Sequence, residues 1–361
     1  MRATAALSYG PKTPFTLEAV ELDGLRPDEI LVRIVAAGLC HTDLVTQAVT
    51  PADAGPSILG HEGAGVVTEV GAAVRGVAPG DHVVLTYRHC AGCEQCLAGR
   101  PAYCEQSLRL NNSGRRADGS ATVHRNGNPV RAAFFGQSSF AQYAIASADN
   151  AVVVDKGVDL SVAAPLGCGF QTGAGAVLNV LRPEPDSRLV VFGGGSVGLA
   201  ALLAARGAGV TTLVVVDPVA DRRALAEKFG ATAVAPDEHV VDRVVAATGG
   251  GATHAVDTTG NPTVLRQALT ALRTRGDLVA VGLGPSELTL DVQDLMRNGK
   301  SLRGCIEGDS VAAQFIPTLL EMHAARRFPI EELVTTYPFR DINLAVADQA
   351  SGKVVKPVLV W

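Results

Sequence analysis

Four cysteines stand in one short stretch, as Cys90-x2-Cys93-x2-Cys96-x7-Cys104, and no other feature restricts the fold of this chain as tightly. Thiolates at this spacing fill all four corners of one tetrahedral zinc, which leaves no open position for chemistry, so the stretch reads as a structural lobe. Paired disulfides fit the closely spaced steps poorly, and cysteines in a reducing cytosol serve metal binding or catalysis in preference to disulfides. Attention therefore moves to the three remaining cysteines, Cys40, Cys168 and Cys305.

At 361 residues the chain exceeds the length at which one hydrophobic core stops growing, so two domains are expected. The net charge of −5 with no Lys/Arg-rich run argues against a nucleic-acid partner. Residues 1–17 lack a signal-peptide core, and no apolar run reaches the length of about 18 residues that a membrane span needs, so a cytoplasmic protein is expected. Short β-rich runs at 30–35, 65–70 and 82–86, separated by Gly/Pro turns, predict a small irregular barrel-like domain. From about residue 188 the texture changes. Strands over 189–192, 213–216, 254–257 and 278–281 alternate with helices over 197–206, 220–229 and 263–272, which is βαβ texture and predicts a parallel sheet. The chain ends in a strand-like run, 354–361, and the polar, Gly-rich stretch 108–131 reads as a long surface loop.

The strand 189–192 runs into Gly193-Gly194-Gly195-Ser196-Val197-Gly198, and an apolar helix follows. Gly193 makes the tight turn, Gly195 lets the backbone approach a pyrophosphate, and Gly198 lets helix and strand pack closely. The helix N-terminus faces the negative charge. Asp217 lies 19 residues beyond Gly198, at the end of the next strand. A carboxylate there accepts from an adenosine ribose and repels a 2′-phosphate, which favours NAD, although Arg222 and Arg223 beside it leave room for NADP.

A catalytic zinc takes three protein ligands and keeps one position open. Cys40 in Gly38-Leu39-Cys40-His41-Thr42-Asp43, His61 in Gly60-His61-Glu62-Gly63-Ala64-Gly65, and Cys168 in the run 166–173 could supply a thiolate, an imidazole and a second thiolate. On spacing alone each could equally be a lone buried side chain.

These motifs, the Pro79-Gly80-Asp81 turn, the four-cysteine lobe and the ending 352–359 occur in the order found in zinc-dependent medium-chain alcohol dehydrogenases, and the chain resembles that family from about residue 30 to its C-terminus. The resemblance implies an α/β protein with a GroES-like catalytic domain (1–169, lobe about 88–106), a Rossmann doubly wound domain (170–304) and a C-terminal return to the catalytic domain (305–361). The active site would be the cleft between them. It implies Cys40, His61 and Cys168 as catalytic zinc ligands, Glu62 as a carboxylate that approaches the metal transiently, and Asp43 as the partner that fixes the tautomer of His61. Cys305 matches no ligand position. Thr42 resembles the hydroxyl that receives the alcohol proton, and Val45 stands where many relatives carry a relay histidine. His41 and Lys356 resemble contacts to the cofactor phosphates, and Thr172 and Val197 resemble contacts to the nicotinamide.

Within the family the chain looks most like the aryl-alcohol branch, so NAD-dependent oxidation of a primary aromatic or allylic alcohol to the aldehyde is expected, with Tyr87 either lining the pocket or filling the lobe. Two zinc ions per chain and a homodimer or homotetramer are implied as well. The runner-up is a thiol-adduct formaldehyde dehydrogenase, for which Arg115, Arg116 and Arg125 could anchor the substrate. A metal-free quinone reductase or a non-catalytic relative would lack the Cys40/His61/Cys168 trio and the lobe.

Overall fold

The computed structural model describes residues 1–361. They sort into two compact units: Met1–Cys168 with Val311–Pro317 and Val334–Trp361, and Gly169–Ser310 with Thr318–Leu333.

The first unit is built on two sheets of seven and five strands. The Glu29–Gly38 strand is the hub of the larger one. It is buried along nearly its whole length, which is why it reads as a continuous apolar run, and it pairs antiparallel with Glu62–Val70, Tyr143–Ser147 and Lys356–Val360. Two breaks in its register with Glu62–Val70 bend it. At Gly65 a Cβ would fall 2.2 Å from the Arg33 carbonyl, so only glycine lets the strands approach this closely. Leu7, Ile30, Ile34, Leu85, Phe140 and Leu359 are among the buried side chains of one core.

The stretch 108–131 is not a loop. It carries a helix, Ser107–Asn112, and a hairpin of Val123–Arg125 with Asn128–Val130 that extends the five-stranded sheet. Asn126 and Gly127 turn the hairpin with φ of 50° and 76°, the positive values that a tight Asn-Gly turn requires.

The second unit holds a parallel six-stranded sheet in the order Thr232–Val234, Thr212–Val216, Arg188–Phe192, Ala252–Asp257, Leu272–Ala280, Ser301–Gly304. Numbered along the chain this is 3-2-1-4-5-6, the doubly wound order, whose switch point lies at the carboxyl end of Arg188–Phe192. The division of the chain differs from the expected one at its end. Residues 305–310 stay with this unit because the Cys305 amide donates to the Ala280 carbonyl (3.0 Å) and a Cβ on Gly175 would fall 2.2 Å from the Gly308 carbonyl. Residues 318–333 stay as well, since Gly207 packs against the Arg327 carbonyl.

Candidate metal centre and nucleotide-binding turn

Cys40 is the N-cap of the helix His41–Val49, and Asp43 at its third position accepts the Cys40 amide (2.9 Å), which fixes the ligand loop to the first helical turn. The other Asp43 oxygen accepts the Gly60 amide at 3.0 Å and lies 2.9 Å from His61 Nδ1. One buried carboxylate thus ties the Cys40 loop to the His61 loop. Gly60 also packs tightly on the segment behind it: its φ is 87°, and a Cβ there would lie 2.6 Å from the Phe140 amide nitrogen. Cys168 follows the turn Ala164–Gly167, whose last carbonyl accepts from Thr86 Oγ1 (2.7 Å) and whose Gly167 sits on the Leu85 carbonyl.

The ligand atoms of Cys40, His61, Glu62 and Cys168 all lie within 4.8 Å of one another. His61 is fully buried, and with Nδ1 turned to Asp43 its Nε2 has no hydrogen-bond partner. A buried ring nitrogen left without a partner costs free energy unless something occupies it, and a zinc ion satisfies it while neutralising the two thiolates. Cys40 is held well below the usual thiol range by the adjacent Cys168 thiol and, against the cost of burial, by the His61 ring. The donor set therefore fits zinc.

Two aromatic rings fix the imidazole. Phe135 stacks on it with ring centres 4.5 Å apart, and Phe134 meets it edge-on at 5.3 Å. Gln137 donates to the His61 carbonyl (2.9 Å) and accepts the Gly63 amide (3.0 Å), holding the ligand's backbone. Phe134, Phe135 and Gln137 carry no spacing signal, and nothing in the sequence pointed to them.

Lys356 requires a correction. It does not lie on a phosphate-facing surface: it is fully buried, with Nζ 2.9 and 2.8 Å from the two Glu62 oxygens and 3.3 Å from the Leu39 carbonyl. Burial alone would lower its pKa, and the charges of Glu62 and Cys40 raise it instead. Thr42 and Val45 lie one turn apart on the helix that Cys40 starts, both half-buried, and His41 at its first position is exposed. Tyr87 is buried, with its ring 6.3 Å from that of His89.

The lobe brings its four sulfurs together: Cys90, Cys93, Cys96 and Cys104 also have ligand atoms within 4.8 Å of one another. Amide donors already point at sulfur, with Cys90 donating to Cys104 Sγ (3.3 Å) and Cys93 to Cys90 Sγ (3.2 Å). Backbone donors from Cys96 and Glu105 draw the Cys93 thiol down to about 6, while burial and the neighbouring Cys93 push Cys96 up to about 12. The four sulfurs cannot all ionise unaided, and a divalent cation at their centre removes the conflict. Cys305 is buried apart from both groups, its thiol pushed up to about 12 by burial and Asp309.

In the second unit, Gly193 closes the strand Arg188–Phe192 with φ of 97°, and a Cβ on Gly198 would fall 1.8 Å from the Gly193 carbonyl. Gly195 is the N-cap of the helix Ser196–Gly207, with no side-chain cap, and a Cβ there would meet nothing within 4 Å. Uncapped amides facing open space form a cradle for an anion. Asp217 is 2 % exposed; its oxygens accept the Gly194 amide and the Val219 amide, both at 2.7 Å, and Arg222 approaches to 3.8 Å. Val197 is half-buried in the first turn, and Thr172 is buried in the helix Gly169–Gly175. These residues fit a dinucleotide.

Two of the three candidate thiol-adduct anchors, Arg116 and Arg125, are paired with carboxylates. Arg116 is buried and bonded to Glu29 and Asp23, and Arg125 pairs with Glu18. Arg115 donates its amide to Ser113 Oγ (3.2 Å).

Comparison with known proteins accords with this geometry. The profile of the alcohol dehydrogenase GroES-like domain matches residues 26–156, and that of the zinc-binding dehydrogenase domain matches 196–324. A geraniol dehydrogenase from Castellaniella defragrans is 44% identical over 366 residues, 99% of this chain and 98% of that protein. Among solved structures, the benzyl alcohol dehydrogenase of Acinetobacter calcoaceticus is similar with a TM-score of 0.94 at 38% identity, covering 100% of this chain and 99% of that one. An alcohol dehydrogenase zinc-binding domain protein from Burkholderia ambifaria reaches 0.95 at 45% identity with the same coverage. No helix is long and apolar enough to cross a membrane.

Proposed function

Since the chain belongs to the zinc-dependent medium-chain alcohol dehydrogenases, we propose that it oxidises primary allylic or aromatic alcohols to aldehydes with NAD, and reduces the aldehydes in reverse. The observation that carries this reading is the buried trio Cys40, His61 and Cys168 with the His61 Nε2 left without a partner. A zinc ion held by this trio supplies a Lewis acid that lowers the pKa of an alcohol hydroxyl, and NAD at the 193–198 turn supplies the hydride acceptor.

The chain's own residues do the rest. Asp43 keeps the His61 proton on Nδ1, so Nε2 is the donating atom. The Thr42 hydroxyl receives the alcohol proton. Val45, one turn further on, carries no group that could pass that proton on, so it leaves by another route. Gly193 and Gly195 shape the turn that seats the pyrophosphate, Gly198 lets the helix pack close behind it, Asp217 accepts from the adenosine ribose, and Arg222 beside it tempers the exclusion of a 2′-phosphate. His41 at the exposed helix start contacts the phosphates, and Thr172 and Val197 contact the nicotinamide. The lobe holds a second, structural zinc, and the protein works as a homodimer or homotetramer.

Substrate class follows from two supports: the similarity to geraniol and benzyl alcohol dehydrogenases, and the aromatic rings Phe134 and Phe135 against His61. A thiol-adduct substrate is less favoured because Arg116 and Arg125 already face carboxylates. The test is NADH formation from geraniol and benzyl alcohol with ethanol as comparison. Fast turnover of the first two and little of ethanol supports the reading; a preference for ethanol, or no turnover of any, overturns the substrate class.

A further inference from the structure

Lys356 has no solvent exposure and holds the two oxygens of Glu62 at 2.8 and 2.9 Å. It also donates to the carbonyl of Leu39, the residue before Cys40. The lysine enters from the strand Lys356–Val360, which pairs with Glu29–Gly38 close to where the Cys40 loop begins. Glu62 in turn belongs to the set of four ligand-bearing side chains, within 4.8 Å of the sulfurs and of the His61 nitrogen. It is kept aside by a second feature. A Cβ on Gly38 would fall 1.9 Å from Glu62 Oε2, so the carboxylate occupies a slot that exists only because residue 38 has no side chain.

A carboxylate in this position can bind the metal as well as a lysine can hold it. With Glu62 as a fourth ligand the centre would have every corner filled by protein, the arrangement of a structural site and not of a catalytic one. Two buried cations therefore compete for one carboxylate, and the lysine wins only while its ammonium and the Gly38 slot are both present. We propose that Lys356 is a positioning residue that retains Glu62 in the Gly38 slot and so keeps the fourth metal position open for the substrate oxygen. This rests on the assignment of zinc to Cys40, His61 and Cys168.

The test uses the full chain with cobalt(II) exchanged for zinc and follows the visible absorption during titration with imidazole. The four-cysteine lobe is closed, so the spectral response reports the catalytic position alone. Wild type is expected to bind imidazole. Lys356→Met and Gly38→Ala are each expected to bind it at least about tenfold more weakly, with the spectrum before titration already that of a carboxylate-ligated centre. The double variant Lys356→Met/Glu62→Gln, which removes both buried charges together, is expected to regain the wild-type affinity. Should the lysine variant fail to fold, Gly38→Ala moves the carboxylate with the ammonium intact and decides the matter. Wild-type affinity in Lys356→Met or in Gly38→Ala, or a double variant that stays weak, overturns the positioning role. A wild-type protein without any spectral response overturns the metal assignment itself, and the positioning role with it.

Discussion

Asp43 and His61 meet at 2.9 Å with neither exposed to solvent, and the same carboxylate also accepts the amides of Cys40 and Gly60. The residue is at once part of a helix capping box, a brace between two loops and the polar partner of a buried imidazole. Asp43→Asn preserves shape but offers an amide where three donors converge. Zinc affinity is expected to fall about 10- to 100-fold, read by competition with a chromophoric chelator; unchanged affinity would show that the loops hold the ring without it.

The two metal groups separate by substitution. Wild type is expected to carry about two zinc ions per chain. Cys96→Ala is expected to lose the lobe ion and to melt at lower temperature, because an ion bound by the folded lobe adds its binding free energy to stability. Cys168→Ser is expected to keep the lobe ion and lose turnover. Elemental analysis beside a thermal melt distinguishes the two.

Glycine roles in the turn can be told apart in the same way. Gly198→Ala places a methyl 1.8 Å from the Gly193 carbonyl and is expected to cost about 1–3 kcal/mol of stability together with dinucleotide affinity. Gly195→Ala meets nothing in the protein, so stability should hold while NADH binding, followed by fluorescence, weakens. Equal losses of stability in both would contradict the cradle.

Acid stability is expected to depend on Arg116. Its hydrogen bond holds the Asp23 carboxyl below the usual range, and it grips buried Glu29 through two bonds of 2.6 and 2.9 Å. A depressed carboxylate contributes stability above its unfolded pKa of about 3.9, and that contribution disappears as pH falls through the lower folded value. The urea-midpoint gap between wild type and Asp23→Asn should therefore be full near neutral pH and close in strong acid. Arg116→Met, which strands the Glu29 charge, is expected to cost about 3–5 kcal/mol at neutral pH.

Val45→His restores a titratable group one helical turn from Thr42. The pH profile of hydride transfer, measured in single turnover, is expected to shift relative to wild type. Superimposable profiles would mean that the proton never travels along this helix face.

Legibility in the sequence followed distance along the chain. The Gly193–Gly198 turn and the four-cysteine lobe are local, with every atom that defines them inside a few residues, and the strands that precede Gly193 and contain Glu62 carry their burial pattern on their face. The hairpin Val123–Val130 was also local, and the Asn126-Gly127 pair announced it, yet the polar composition around it pointed to a loop. Lys356 was out of reach for a different reason. Its partner Glu62 lies 294 residues away, and a lone lysine at the head of an apolar strand looks the same whether it faces solvent or a buried carboxylate. The boundary after residue 304 failed similarly, because the contacts that keep Gly308 with Gly175 join residues far apart in sequence.

The hub strand Glu29–Gly38 precedes the second unit in the sequence, and the strand Lys356–Val360 that pairs with it follows that unit. The second unit is encoded almost wholly between them. The second unit can thus complete its parallel sheet while the larger sheet of the first still lacks the Lys356–Val360 strand and Glu62 still lacks its counter-charge. Pairing Lys356 with Glu62 therefore spans the whole of the second unit, a contact of long sequence separation that is expected to form late in folding.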